Sequence, residues 1–518
     1  MNPPRPLRAW VPLLPLLVVG LAVPAVLPEL LGMVGPGGSD PGLWVLAAEN
    51  LRVGASPTTA PLYPGLAAGL AAITGASTAG AAHAVSVVAF ALLPPVTWLL
   101  ARRLGADTIT AMVAGVLGLL LPSCMVFAVQ IQADALTALV LLGMALACLA
   151  FMRRPGWGQL AGLMVSAASL ALVREQIVPL AALMVLLALL PKGGPGRRIL
   201  RAVAVAVAVW AAPLLLGLDP GLPWQQTWFV DRVGEAARDA TGAAIPKHIR
   251  ELPSHMREPY VAAYERGDQL ALMLLHMRRS LVMNWHAWIF MGLGGAGVAM
   301  LRDKRGVAIA LVMLGLGPPL VAWSQPRHIA VFAPVAAAAW AASFARRPLW
   351  GKLLLAAAAV AVAVLGQGEW ATVARKQAAQ ARTRVEIAQF GAELCTWLEP
   401  GAVVMAGNAR SAAYCPLPRV QGGMGTPYDW KLVWLGDMPQ QHPAWTSLEA
   451  GGWAQLELTA GFIPVYRLRP WLEGAERPCA GSVPVGPFSH SRFGVMAELP
   501  LSPPCEEPSP IRMQGRGG

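Results

Sequence analysis

Charge is what this sequence has least of. Only 13% of its 518 residues are Asp, Glu, Lys or Arg, against roughly 25% in a soluble globular protein. With 56% hydrophobic residues and a mean hydropathy of +0.53, this deficit excludes a water-soluble enzyme and points to a chain solvated by lipid. Acids are the scarcer sign, 28 against 40 Lys and Arg, for a formal net charge of +12. A basic surplus can signal nucleic acid, but here the cations punctuate apolar runs in twos and threes. No basic stripe with interleaved aromatics exists, so a nucleic-acid partner is excluded. Cysteine is scarce too. The six cysteines form no CxxC pair and no His/Cys cluster, which removes a zinc site of the usual spacing.

What remains is a succession of long apolar runs. A helix needs about 20 mainly apolar residues to cross a bilayer. That rule places spans near 10–33, 83–101, 109–128, 136–152, 158–173, 176–190, 199–217, 281–300, 306–323, 329–345 and 350–367. The first run, which continues to about Met33, exceeds the roughly 7–15 residues of a signal-peptide core, and we read it as a retained span. Loop charge gives an independent check. With Arg5 and Arg8 on the cytoplasmic side, every second turn should be basic. Those turns hold Arg102 and Arg103; Arg153 and Arg154; Lys192, Arg197, Arg198 and Arg201; Arg302, Lys304 and Arg305; and Arg346 and Arg347. The short turns between them hold almost none. The loop 218–280 is charge-rich, but its length is about the limit beyond which loop charge stops deciding topology.

Eleven spans put the tail, 368–518, on the outer side. There the long apolar runs give way to Pro, Gly and polar residues. "EWATVARKQAAQARTRVEIAQFGAELCTWL" reads as an amphipathic helix, and "GAVVMAG" and "GFIPVYRL" as short strands. The expected fold class is therefore an α-helical polytopic membrane protein with a small C-terminal α/β extracytoplasmic domain. Residues 1–367 form its membrane domain, with external loops 34–82 and 218–280, and 368–518 its outer domain. Cys124 and Cys148 lie inside spans and read as small apolar residues. Cys395, Cys415, Cys479 and Cys505 all fall in the tail, where an even set suggests disulfides in an oxidising compartment. Three pairings are open, with 395–415 and 479–505 the preferred one.

Ionisable groups near membrane depth are costly and usually face a bundle interior or a wet cavity. Here such groups and other polar residues collect at the outward turns: Asp40; Gln130, Gln132 and Asp134; Arg174 and Glu175; Arg327 and His328. Each alone could cap a helix or meet headgroups. Asp40 before Pro41 reads as an N-cap with Pro at the first helical position. Leu43, Trp44, Ala47, Ala48 and Leu51 then share one face of an amphipathic helix, which also carries Glu49, with Trp44 as an interfacial anchor.

The stretch "SDPGLWVLAAENLRVG" resembles the first external loop of GT-C glycosyltransferases, membrane enzymes that use polyprenyl-phosphate sugar donors, such as protein O-mannosyltransferases and lipid A aminoarabinose transferases. Their pattern is approximately Asp-Glu-x-x-Tyr-x-x-x-Ala-x-x-Leu-x-x-Gly. Asp40, Trp44, Ala48, Leu51 and Gly54 hold that spacing. "APLYPG", with Pro61, Leu62 and Tyr63, is similar to the element that follows. "VQIQADALTALV", "ASLALVREQ" and "SQPRHIAVFAPV" then match later family segments in order. Pro41 stands where the pattern has Glu, Thr59-Ala60-Pro61 where it has a lysine-bearing Lys-Pro-Pro, and His328 where it has Tyr.

The resemblance implies an inverting hexosyl- or pentosyl-type transferase in a bacterial-type cytoplasmic membrane. Its sugar would pass from a polyprenyl-phosphate donor to a glycan, lipid or protein acceptor on the outer, periplasmic side. Asp40 and Asp134 become the catalytic candidates, Asp40 as base and Asp134 as holder of a divalent metal or as orienter of Arg174. Arg174, Arg327 and His328 become the donor-phosphate candidates. The main rival is a polytopic transporter or lipid flippase, which would favour two related halves and mid-membrane charge. A second rival is a non-catalytic assembly protein that binds through its tail.

Overall fold

The computed structural model describes residues 12–30, 40–52, 60–119, 124, 131–174, 177–189, 195–215, 254–266, 285–299, 304–322 and 326–344, scattered positions beside these, and seven short strands. The helices are α1 Leu13–Leu30, α2 Asp40–Arg52, α3 Leu62–Thr74, α4 Thr78–Leu104, α5 Thr108–Leu117, α6 Asp134–Arg153 and α7 Trp157–Val173. They continue with α8 Val178–Leu189, α9 Pro195–Leu215, α10 Ser254–Glu265, α11 Trp285–Ala299, α12 Lys304–Ala322, a 3-10 helix Pro326–Phe332 and α13 Ala333–Phe344. Ten of the eleven expected apolar segments fall on these helices, while of 350–367 only six scattered positions are described, each helical. By length and hydropathy together, two of the described helices can cross a membrane, Thr78–Leu104 and Asp134–Arg153. α3 occupies part of what the sequence assigns to the external loop 34–82, and α10 part of the loop 218–280.

The chain divides into two compact units, Met1–Leu31 with Ala84–Lys376, and Gly32–His83 with Gln377–Gly518. In the first, the contacts fix which helix ends lie together. At one end, Arg153 Nη2 at the close of α6 donates to Asp303 Oδ2 (2.8 Å) and to the Arg103 carbonyl (2.5 Å). The end of α4, the end of α6 and the start of α12 therefore meet. At the other end the Ser86 hydroxyl of α4 bridges the Gln132 amide and carbonyl, both at 3.3 Å, just before α6 begins. The turns that carry Arg102 and Arg103, Arg153 and Arg154, and Lys304 and Arg305 are thus neighbours.

Asp303 sits in a turn outside the spans. Burial raises its pKa, but the Arg153 hydrogen bond, the Arg305 backbone N–H and both cations outweigh this and hold it below the usual carboxylate value. A lowered folded pKa means stability that is present above the unfolded value, about 3.9, and lost as pH falls through the folded one. Asp303→Asn is expected to cost about 1 kcal/mol near pH 7, since the pair is a third exposed. Thermal unfolding against pH checks this: the gap to wild type should close only in acid below about pH 4.

Prolines shape two elements that position the site. Pro334 has no N–H and cannot bond the carbonyl four residues back, that of Ala330. The chain answers with a 3-10 turn over Pro326–Phe332 before α13 begins. Cys124 Sγ donates to the Ala330 carbonyl at 3.2 Å, so this cysteine is more than a small apolar filler. In α4, Pro94 and Pro95 lie inside the helix. α1 comes so close here that a Cβ on Gly20 would stand 2.5 Å from the Ala91 carbonyl oxygen.

In the second unit α2 packs on α3. Its strands form a four-stranded sheet, order β1-β2-β4-β3, and a three-stranded antiparallel sheet, order β5-β6-β7. The strands are β1 Val404–Ala406, β2 Leu432–Trp434, β3 Ala454–Ala460, β4 Ile463–Leu468, β5 Phe488–His490, β6 Val495–Glu498 and β7 Arg512–Gly515. β1 and β2 are parallel, whereas β4 is antiparallel to both β2 and β3. "GAVVMAG" contributes β1 and "GFIPVYRL" β4. The expected amphipathic helix before them, and Cys395, Cys415, Cys479 and Cys505, lie outside the described residues.

Candidate active site

In the first unit two of the turns named from sequence, those carrying Asp134 and Arg174, meet. α6 starts at Asp134, which is 1% exposed. Thr137 ties down the first turn, its Oγ1 and its N–H both donating to the Ala133 carbonyl. A carboxylate in this first turn faces the positive end of the helix dipole. α7 runs antiparallel and ends at Val173, so Arg174 leaves it in extended backbone (φ −163, ψ 110) beside the start of α6. Arg174 Nη2 donates to Asp134 Oδ1 at 2.6 Å. Arg174 is 8% exposed, and its Nη1 is buried with no hydrogen-bond partner.

That arrangement has a chemical meaning. Removing both charges from water costs several kcal/mol each, which their attraction repays only if the remaining donors are also satisfied. Here one face of a planar guanidinium is held by a carboxylate while another N–H is left over. A guanidinium fixed at one side and unsatisfied at the other suits a second anion, phosphate above all, because it can present parallel donors.

The 3-10 turn Pro326–Phe332 belongs to the same end of this unit. α12 starts at the Arg153–Asp303 end and runs away from it, and the turn follows its far end. The turn packs against α6 and α12. α5 gives an independent bearing, since a Cβ on Gly118 at its close would lie 3.1 Å from Pro334. His328 is buried, 5% exposed. Arg327 lies in the turn's backbone, and its side chain is outside the described residues, as are Gln130 and Glu175.

The second unit holds the other sequence candidates. α2 begins at Asp40, whose side chain is outside the described residues. Trp44, half-buried, meets Tyr63 of α3 edge to face, ring centroids 5.3 Å apart, and Tyr63 Oη donates to the Ala82 carbonyl at 2.7 Å. Glu49 is buried and is held by Arg52 Nη1 at 3.2 Å; the same nitrogen reaches Thr78 Oγ1, also at 3.2 Å. Trp44 and Glu49 therefore pack α2 in place at two points along its length. Sequence reasoning missed Arg52, Thr78 and Ser86. Only the i, i+3 spacing of Glu49 and Arg52 carried a signal; a lone hydroxyl in an apolar run carries none.

No group of three His, Cys, Asp or Glu side chains that could hold a metal occurs among the described residues, and the Asp134 carboxylate is engaged by Arg174. The described residues do not fit a metal centre, and no step is derived through one.

No protein-family model matches the chain, and no curated protein matches it. A crystal structure of ArnT from Cupriavidus metallidurans bound to undecaprenyl phosphate does, at 12% identity and a TM-score of 0.53, covering 88% of this chain and 98% of that one. The apo state of the same protein aligns at 14% identity with a TM-score of 0.42. The first of these likenesses runs nearly the full length of both chains, and it shows that this chain shares the overall fold of ArnT.

Proposed function

We propose that this protein is an inverting glycosyltransferase of the GT-C type, moving a sugar from a polyprenyl-phosphate donor to an envelope acceptor on the outer side of the cytoplasmic membrane. The observation that carries the reading is the buried Arg174 with its unpartnered Nη1, held by Asp134. The shared fold with ArnT, whose structure contains undecaprenyl phosphate, supports it.

In the transfer, the acceptor heteroatom attacks the anomeric carbon as the bond from that carbon to the phosphate oxygen breaks, and the electron pair leaves on the phosphate. Asp40 takes the acceptor proton. Positioned base catalysis of this kind is worth about 10²–10⁴-fold. Arg174 and Arg327 compensate the charge growing on the phosphate, which counts for most in a site that excludes water, and His328 donates a further hydrogen bond. Asp134 orients Arg174 and does not act on the sugar. Trp44 and Glu49 fix α2, and so the position of Asp40 at its start. The N-terminus is cytoplasmic, and 368–518 form the extracytoplasmic domain.

Mass spectrometry of lipid co-purified with the protein tests this reading. A polyprenyl phosphate, free or sugar-linked, should be found at about one per chain with wild type and be lost when Asp134 and Arg174 are both replaced. Equal retention by that variant would move the phosphate site elsewhere.

A further inference from the structure

The end of the helical unit opposite Asp134 carries a second built cluster, which sugar transfer does not use. Arg153 ties the end of α4 to the start of α12, through the Arg103 carbonyl and the Asp303 carboxylate. The approach is close: a Cβ on Gly306 would stand 2.7 Å from the Leu104 side chain. Arg201 of α9 joins from another side, its guanidinium 5.4 Å from the centroid of the Phe151 ring, two residues before Arg153. Four helices thus meet at one junction.

Among the described residues the charge left over there is one-sided. Asp303 is matched by Arg153 and by the nearby Arg305. Arg102 is turned onto the Ala106 carbonyl. Arg103, Arg154 and Lys304 are exposed, and none has a side-chain hydrogen bond or ion pair among the described residues. Arg103 lies in the last turn of α4, Arg154 follows α6 and Lys304 opens α12; Arg154 and Lys304 adjoin the two bridge residues in sequence, and the Arg103 carbonyl accepts from Arg153. Loop charge alone would orient the chain without any such convergence. Three exposed cations at three helix ends around a neutralised bridge form a basic cluster, and basic clusters between membrane helices take lipid headgroups.

We infer that this junction binds an anionic phospholipid of the diphosphate, cardiolipin type. A single-phosphate headgroup engages part of the set, whereas two linked phosphates can meet cations on different helices at once. The inference is independent of the donor reading, since it concerns the opposite end of the unit and requires no transfer.

The test uses the full-length protein in detergent, titrated with cardiolipin, phosphatidylglycerol and phosphatidylcholine, with binding read by native mass spectrometry. Cardiolipin should bind most tightly and phosphatidylcholine least. Arg103→Gln/Arg154→Gln/Lys304→Gln should weaken cardiolipin by about tenfold or more, with a salt dependence that fades in parallel. These side chains are exposed, and the Arg153–Asp303 bridge is left intact. Should the triple variant not be recovered folded, the three single variants serve, each with a partial loss. Equal affinity for phosphatidylcholine, or unchanged cardiolipin binding in the variants, overturns the inference.

Discussion

Arg174→Met is expected to abolish sugar transfer and, in the same stroke, to destabilise the helical unit by about 3–5 kcal/mol. The second effect follows from stranding Asp134, which is 1% exposed, as a buried charge without its partner. Loss of activity alone would therefore be ambiguous. The companion variant Asp134→Asn/Arg174→Met resolves it, because replacing both members of a buried pair removes the stranded charge and should restore most of the thermal stability. Transfer should stay lost, since no guanidinium remains to meet the leaving phosphate. A double variant that recovers activity along with stability would reduce the pair to a structural clasp. Asp134→Asn alone belongs between the two: Arg174 stays, less well held, and the split between turnover and apparent KM for donor should shift.

For Asp40→Asn the expected result is a fall in turnover of about 10²–10⁴-fold, the worth of a positioned base, with no change in yield or thermal stability. Asn matches Asp in size and keeps a hydrogen-bonding oxygen, and α2 is held elsewhere, by the Trp44–Tyr63 contact and by the Glu49–Arg52–Thr78 hydrogen bonds. Quantified product formation beside a melting curve checks both halves. Near wild-type transfer by Asp40→Asn would remove this carboxylate from the chemistry.

Much of the scaffold was legible in the sequence because lipid imposes a simple rule on it. Apolar runs near the length of a span, with cations at alternate turns, leave few arrangements, and the Arg103–Arg153–Asp303 junction is what that alternation looks like in space. Local breaks were harder to read. "PRHIAVFAPVAAAAW" is continuous to a hydropathy scale, so its opening turn reads as helix; the 3-10 segment appears only when the N–H missing from Pro334 is traced to the Ala330 carbonyl. α3 is too short for the span rule, so the sequence places it in a loop. The site was legible in its parts and not in its pairing. Asp134 and Arg174 were each conspicuous as charges in apolar surroundings, but they lie 40 residues apart in sequence. Their meeting depends on the antiparallel course of α6 and α7, which brings Arg174 to Asp134 at 2.6 Å. The fixing of α2 was less legible still, because Glu49 looks like a solvent-facing acid until Arg52 and Thr78 close over it.

The most direct measurement follows one reaction in proteoliposomes: purified protein with a polyprenyl-phosphate sugar and a membrane extract as acceptor, analysed for both lipid and sugar products. The expected result is free polyprenyl phosphate released in step with sugar transferred, and inverted configuration at the anomeric carbon. Movement of the intact donor between leaflets, with no loss of its sugar, would contradict the central claim and identify a flippase.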